Sequence, residues 1–364
     1  MRWRPALTNA LRSGALALAL LALAAGPVHA QVASPLQSGH YVPGIMNVRD
    51  MATPPDGLIV VWYNWGLSSD TYVDRDGNKL SRLNLSEIDP GYPDLDIELE
   101  VKGFVTVPVL FWATGTDFLG GARYIATIAP NYFTTDFKVV GELVGGGAEP
   151  GYEEGSLSGW SDFLVTPLGL SWAFGEFDEV PISDEDMAAV GAPPLRRFNV
   201  TALYSFVAPT GRYTTGADDN LGLGFWTHQF QGFGYYYPFE HQATSFMGGL
   251  TYELNSGIKD ADVNPGNRLS LEWGVSQYFN SWFEFSVHGA HNWQITDDTG
   301  TDVFWNPAAH DRKNSLMLGA GFWPWAGRLQ LNARWGFDYG SRQRFDNSNL
   351  MLNVTFLTNL LDGR

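Results

Sequence analysis

Apolar and polar residues alternate one by one through the last third of the chain. Between Arg328 and Asp338, Leu329, Leu331, Ala333, Trp335 and Phe337 fall on one face, and Arg328, Gln330, Asn332, Arg334, Gly336 and Asp338 on the other. A period of two marks an extended strand with one apolar and one wet side. Residues 268–279 repeat the pattern, with Leu269, Leu271, Trp273, Val275 and Phe279 opposing Arg268, Ser270, Glu272, Gly274, Ser276 and Tyr278. Beyond Asn280-Ser281, Phe283, Phe285, Val287, Trp293 and Ile295 oppose Glu284, Ser286, His288, Asn292 and Gln294. Upstream, Ile97, Leu99 and Val101 alternate with Glu98, Glu100 and Lys102. The pattern predicts thirteen strands, at about 58–72, 97–113, 121–133, 136–145, 161–174, 196–208, 220–238, 241–256, 267–279, 281–295, 313–325, 327–340 and 349–358. Helical periodicity is confined to one short capped turn, Ser183–Val190, in an acidic loop.

Strand length separates two β architectures. Strands of soluble proteins average five or six residues, whereas a tilted membrane-spanning strand needs about 9–11, and many of these segments exceed ten. Connections discriminate further: Asn280-Ser281 and Ala326-Gly327 are tight, while 256–266 and 296–312 are long and polar, as in barrels with short periplasmic turns and long outer loops. In a soluble sandwich Trp273, Trp293 and Trp335 would be core. The charged wet faces and the aromatics at segment ends favour a membrane barrel instead. The expected fold is therefore all-β, a transmembrane antiparallel β-barrel of about 12–14 strands. Thirteen is odd where bacterial barrels are even, so one segment before residue 209 must be merged or added, and 175–195 must serve as a long acidic periplasmic loop.

The N-terminus carries an address rather than a strand. Arg2, Arg4 and Arg12 precede the apolar stretch Gly14–Ala25, and Val28-His29-Ala30 offers a small-x-small cleavage site, so residues 1–30 read as a signal peptide and 31–364 as the barrel. Its removal takes three of the 22 basic residues and none of the 39 acidic ones, leaving a net charge of −20. That acidity argues against a nucleic-acid partner, which would need phosphate-neutralising cations. No later stretch reaches 18 uninterrupted apolar residues, so membrane-spanning helices are excluded. There is no cysteine.

Candidate chemistry is sparse. His288 and His291 lie three apart on a strand, hence on opposite faces, and cannot share a metal ion. Glu284, Ser286 and His288 share a face, but i and i+2 neighbours on a strand are about 7 Å apart, too far for a direct Ser–His bond. No catalytic, metal or cofactor site is expected. Asp74-Arg75-Asp76-Gly77-Asn78 lacks the sixth and twelfth positions of a calcium loop and reads as a tight turn. The wet faces propose a pore lining of Arg268, Glu272, Glu284, Ser286, His288, Arg328, Arg334 and Asp338. Tyr235-Tyr236-Tyr237 and Trp62–Trp65 could contact a ring solute, although half of each run must face lipid.

Several short motifs, in order, resemble one family. They are Gly39-His40-Tyr41-Val42-Pro43-Gly44, Pro55-Asp56-Gly57, Asp76-Gly77-Asn78, Gly159-Trp160-Ser161-Asp162 with Pro167, and Ala208-Pro209-Thr210-Gly211-Arg212-Tyr213 with Leu221-Gly222 and Trp226. Tyr252-Glu253-Leu254-Asn255 with Gly257, and Gln294 with Asp297-Asp298, complete the series over most of 39–305. The chain resembles the outer-membrane proteins of the MetA-pathway of phenol degradation. The resemblance implies passive uptake of small hydrophobic or aromatic compounds through the bacterial outer membrane, linked to their catabolism. The expected partners are outer-membrane lipid, lipopolysaccharide and the solute. Pro209, Thr210, Gly211 and Tyr213 have an independent reading as a strand end and turn. The chain ends Leu360-Leu361-Asp362-Gly363-Arg364 without the terminal aromatic common in barrels, leaving Phe356 as the substitute. Two alternatives remain: a barrel enzyme acting on lipids, and a surface barrel with a plugged lumen that does not transport. The net −20 is expected to disfavour anions.

Overall fold

The computed structural model describes residues 39–84, 86, 94–114, 119–145, 151–178, 196–215, 217, 219–325 and 328–358. The segment 1–30, expected as a signal peptide, and the acidic turn expected at Ser183–Val190 lie outside the described residues. The strands are β1 (Gly57–Ser69), β2 (Tyr72–Val73), β3 (Arg82–Leu83), β4 (Leu95–Ala113), β5 (Arg123–Ala129), β6 (Tyr132–Leu143), β7 (Gly151–Trp160), β8 (Phe163–Phe174) and β9 (Phe198–Ala208). They continue as β10 (Thr227–Tyr236), β11 (Thr244–Asn255), β12 (Arg268–Asn280), β13 (Phe283–Gln294), β14 (Arg312–Trp325), β15 (Leu329–Arg342), β16 (Arg344–Phe345) and β17 (Ser348–Leu357). Pairing is antiparallel throughout, with β5 set against β8 and β6 against both β4 and β7, and the register Ile59 to Leu357 through Ser68 to Ser348 sets the last strand against the first. Together with the β1–β4 ladder this closes a 12-strand barrel. Closure leaves no open sheet edge in the hydrocarbon, where an unpaired N–H or C=O would cost several kcal/mol.

Twelve replaces thirteen because two predicted strands are one. Both β5 and β6 pair with β4, at its far and near halves, Ile128 opposite Leu110 and Tyr132 opposite Thr106. They are separated only at Pro130-Asn131, where proline has no N–H to donate. The segment 151–160, which none of the thirteen predicted strands covers, is β7. It runs into β8 across Ser161-Asp162. Connection 175–197 lies at the end of the short turns, as parity requires, and its residues 179–195 lie outside the described ones. The opposite end carries the long connections 70–94, 209–226, 256–267 and 295–311, which makes it the extracellular end.

Outward side chains are apolar across the barrel, including Trp62, Phe230, Leu250, Trp273, Leu318, Trp335 and Leu352. Trp335 is 52% exposed, a lipid-facing residue and not a core one. At the periplasmic rim Phe198 stacks between Phe174 and Tyr236, at 5.7 and 5.0 Å. Phe279, Trp282, Phe322 and Trp325 extend the same belt. Phe356 joins it beside Trp325, the position expected of a terminal aromatic. The mixed aromatic runs split as alternation demands: Tyr235, Tyr237 and Trp65 are buried inside, while Tyr236 and Trp62 face out.

One part of the wall departs from this scheme. The first half of β4, with β6 and β7, continues beyond the barrel at the extracellular end, and β7 pairs with β6 alone. On this flared extension the outward face changes character. Asp96, Glu98, Glu100 and Lys102 point outward, and Leu95, Ile97, Leu99 and Val101 point inward. Above the hydrocarbon the outer surface meets water, so the outward row becomes polar while the apolar inward row of β4 continues up to the mouth.

Candidate functional site in the barrel interior

The lumen is occupied by the chain itself. Residues 39–56 precede β1 and traverse the barrel, from Gly39 beside Arg268 near the outer end to Arg49 beside Ser276 near the periplasmic end. Backbone of this kind, without a ladder of its own, leaves polar groups that must find partners when buried. The wall supplies them. Glu253 accepts the N–H groups of His40 and Tyr41 at 3.2 and 2.8 Å. Glu272 accepts the Tyr41 hydroxyl and the Gly44 N–H, the latter at 2.8 Å. Arg334 donates to the carbonyls of Gly44 at 2.8 Å, Met46 at 2.6 Å and Ile45. Arg49 donates to Ser276 Oγ at 2.8 Å and lies 3.7 Å from Glu284. Asp50 accepts from the Tyr63 hydroxyl at 2.5 Å, and Thr201 donates to the Met51 carbonyl at 2.8 Å.

Seven of the eight residues proposed as pore lining therefore point into the barrel, and six of them, all but Ser286, hold a hydrogen bond or ion pair among the described residues. Glu272 also contacts His288 Nε2 at 2.9 Å, and Glu284 accepts from Ser276 and Gln330 at 3.1 and 3.2 Å. Ser286 is buried between Glu284 and His288 on the same strand. Arg268 pairs with Asp311, which also holds Arg344 at 3.2 Å. Asp338 is held by Lys313 at 2.9 Å and Ser315 at 2.6 Å. Arg328 differs: it sits in the turn before β15, and its guanidinium lies over the Trp325 ring, 4.8 Å from the centroid, at the periplasmic rim. The alternation is broken where the chain reverses. His291 faces outward, away from His288, bonded to Asn314 at 2.9 Å.

The Pro209-Thr210-Gly211 segment closes around one buried carboxylate. Asp162 accepts the Gly211 N–H on Oδ1 at 2.9 Å, and its Oδ2 accepts the Leu223 N–H at 2.7 Å and meets His40 Nε2 at 3.0 Å. His40 Nδ1 reaches Thr227 Oγ1 at 2.6 Å. The turn expected of this motif is thus also an anchor for the outer end of the luminal segment. A Cβ on Gly222 would lie 2.4 Å from Asp162 Oδ1, which explains the glycine two residues before Gly224. Tyr213 packs with Phe225, Ile258, Val263 and Trp305 in a small core that ties the outer loops together. Within those loops the Asp262 carboxyl is held below its usual range by the N–H and hydroxyl of Thr301. Asp74 caps the expected tight turn, accepting from the N–H groups of Asp76 and Asn78 at 2.8 and 2.9 Å.

The other wall of the lumen is apolar. Along β4 every inward residue except Gly103 is a hydrocarbon: Leu95, Ile97, Leu99, Val101, Val105, Val107, Val109, Phe111 and Ala113. Ile59, Val61 and Tyr63 of β1 and Ile125 of β5 widen this stripe, and Val48, Met46 and Met51 of the luminal segment pack on it. Val42 packs on a second cluster with Trp65, Met317 and Val105. The segment is therefore amphipathic without being regular, bonded to the polar wall and packed on the apolar one.

Gly44 stands where the segment turns, at φ +84°, and an added Cβ would meet the Met317 Cε at 2.2 Å. A left-handed conformation costs a non-glycine residue about 1–2 kcal/mol. Gly44→Ala is expected to loosen the segment about tenfold relative to the wall. Limited proteolysis at residues 40–52 should proceed correspondingly faster than in the parent protein.

The sequence profile of the MetA-pathway of phenol degradation family matches residues 69–354, more than three quarters of the chain. No curated protein matches it. Among solved structures, an outer membrane channel from Pseudomonas putida F1 is similar with a TM-score of 0.58 at 15% identity, covering 87% of this chain and 99% of that one. The transport unit of the autotransporter AIDA-I from Escherichia coli is similar at 9% identity over 88% and 95% of the two chains, TM-score 0.47. The translocator domain of the autotransporter NalP from Neisseria meningitidis is similar at 12% identity over 85% and 92%, TM-score 0.42. This closed barrel of the bacterial outer membrane belongs to the MetA-pathway of phenol degradation family.

Proposed function

We propose that the protein is a gated channel through which small hydrophobic, often aromatic, solutes cross the outer membrane passively on the way to their catabolism. The observation that carries this reading is the inward row of β4, apolar from Leu95 above the membrane to Ala113 at the periplasmic rim apart from Gly103. A lumen built only for ions or sugars would gain nothing from such a stripe. An apolar solute leaving water for it gains about 25 cal/mol per Å² of surface covered. The flared extension presents Leu99 and Val101 with Phe137 of β6 toward the mouth, where the solute first meets protein. Passage then requires the luminal segment to yield part of the stripe it covers. The former pore-lining set acts chiefly to seat that segment.

The experiment is uptake of a radiolabelled monoaromatic hydrocarbon by cells with the gene, without it, and with Leu99→Asn/Val101→Asn. These positions lie above the membrane, so the change leaves the lipid-facing wall intact. Uptake is expected to depend on the gene and to fall several-fold in the double variant. Growth on aromatic carbon sources at limiting concentration that is indifferent to the gene for every compound would sink the proposal. A second reading, a surface barrel without transport, is favoured by one observation, the filled lumen. It expects no solute flux in any variant.

A further inference from the structure

The outer rim carries two arginines that the barrel does not use. Arg312 opens β14 and Arg342 closes β15, and the two are register partners on the outward face. Like charges placed directly opposite each other destabilise a ladder. In a chain with 39 acidic and 22 basic residues a carboxylate partner is easily supplied, yet among the described residues neither guanidinium forms an ion pair. Arg312 spends only its Nε, on the Gly340 carbonyl at 3.0 Å. The side chain of Arg342 is exposed. The inward cations nearby are treated oppositely: Arg268, Arg344 and Lys313 each hold an aspartate.

Their height explains what they face. From Phe322 in the periplasmic belt to Arg312 is ten residues of β14. At about 3.4 Å per residue and a tilt of about 40° that is roughly 26 Å, the height of the apolar band of an outer-membrane barrel. Trp293, the register partner of Arg312, lies beside it, and beneath the pair lies Tyr339 at the end of the outward row Trp335-Phe337-Tyr339. Rings with a polar edge mark the boundary between acyl chains and headgroups. The arginines stand one step above it, on the outward face at the level of the outer-leaflet headgroups.

We propose that Arg312 and Arg342 form a binding site for the phosphate groups of the outer-leaflet glycolipid, the lipid A part of lipopolysaccharide. A phosphate between two guanidiniums accepts charge-assisted, bidentate bonds and removes their mutual repulsion. Trp293 and Tyr339 lie against the first carbons of the acyl chains. The site would order the lipid around the β13–β15 side of the barrel, and it is independent of the solute path on the β4 side.

The purified full-length barrel in detergent is titrated with bisphosphorylated lipid A, with dephosphorylated lipid A and with inorganic phosphate, following bound lipid by native mass spectrometry. Folding is checked by heat-modifiable gel mobility, and the single variant Arg342→Gln, altered at an exposed side chain, replaces the double one if that check fails. Lipid A is expected to bind the parent protein and to bind Arg312→Gln/Arg342→Gln at least about tenfold more weakly, since two charge-assisted contacts are lost. Arg328→Gln, at the opposite rim, should bind as the parent does. Equal binding to parent and double variant, or undiminished binding of dephosphorylated lipid A, overturns the proposal. Inorganic phosphate that displaces lipid A at equal concentration reduces the site to an anion site and overturns the glycolipid assignment.

Discussion

Excision of residues 40–52 should turn a barrel that conducts poorly into one that conducts steadily. The segment crosses the whole lumen, and the wall does not depend on it for closure, because all ladder bonds of the twelve strands run between strands. Removing it leaves Glu253, Glu272, Glu284, His288 and Arg334, all buried, facing the vacated space. Polar groups in a space of that size draw water rather than collapse. Single-channel recording in planar bilayers is the measurement, with parent and excised protein compared at equal salt. The melting point should fall, since each lost bond to a charged group contributes about 1.5–3 kcal/mol. Unchanged conductance would mean that ions and solutes bypass the lumen, and the gate assigned to this segment would have to be abandoned.

Substituting a single wall residue should reproduce much of that effect. Arg334 is 1% exposed and clamps three successive carbonyls, those of Gly44, Ile45 and Met46. Arg334→Met keeps the length and apolar bulk of the stem but leaves the carbonyls without donors. It also strips Asp50 and Glu272 of a neighbouring cation. Burying an arginine costs desolvation, so its loss could in principle be neutral; the deciding fact is that its partners stay behind, buried and unpaired, which is the expensive half of such a change. The seated state should lose about 3 kcal/mol, shifting the ratio of displaced to seated segment about a hundredfold. Open probability in the same bilayer assay should rise accordingly. An open probability equal to that of the parent would show that the apolar packing of Val42, Val48 and Met51 seats the segment without the clamp.

Net charge proves a poor guide to this lumen. The excess of acid over base is large across the chain, yet inside the barrel Asp50, Glu253, Glu272, Glu284, Asp311 and Asp338 face Arg49, Arg268, Lys313, Arg334 and Arg344. Much of the remaining acid lies on the flared extension and in the outer loops, as Asp96, Glu98, Glu100, Asp260 and Asp262 do. Selection against anions is therefore expected at the mouth rather than in the lumen.

The strands of the C-terminal half were legible because each carries its own periodicity. Leu329 to Phe337 against Gln330 to Asp338 needs no partner to be read as two-faced, and the structure places every one of those residues on the expected side. The N-terminal half was harder for a local reason. Pro130 breaks one long strand into what looks like two, while Gly151–Trp160 alternates serine, glycine and glutamate with too few hydrocarbons to register as a strand. The row Ile97-Leu99-Val101 was seen, but which side it faces depends on whether that stretch lies within the bilayer or above it, and no local pattern records height.

The candidate site divides in the same way. The inward row Glu272, Glu284, Ser286, His288 and Arg334 was found from alternation alone. What those groups hold was not, because the segment 39–56 lacks strand or helix periodicity and most of its partners lie more than a hundred positions away in the chain, as His40 and Asp162, Tyr41 and Glu272 or Gly44 and Arg334 do. By itself the sequence determined the two-faced strands and hence a closed barrel, since strand period and strand length are local consequences of pleat geometry and bilayer thickness. Only the tertiary structure decided the strand count, the continuation of the apolar β4 row up to the mouth and the filling of the lumen, because each depends on contacts between residues that chain closure alone brings together.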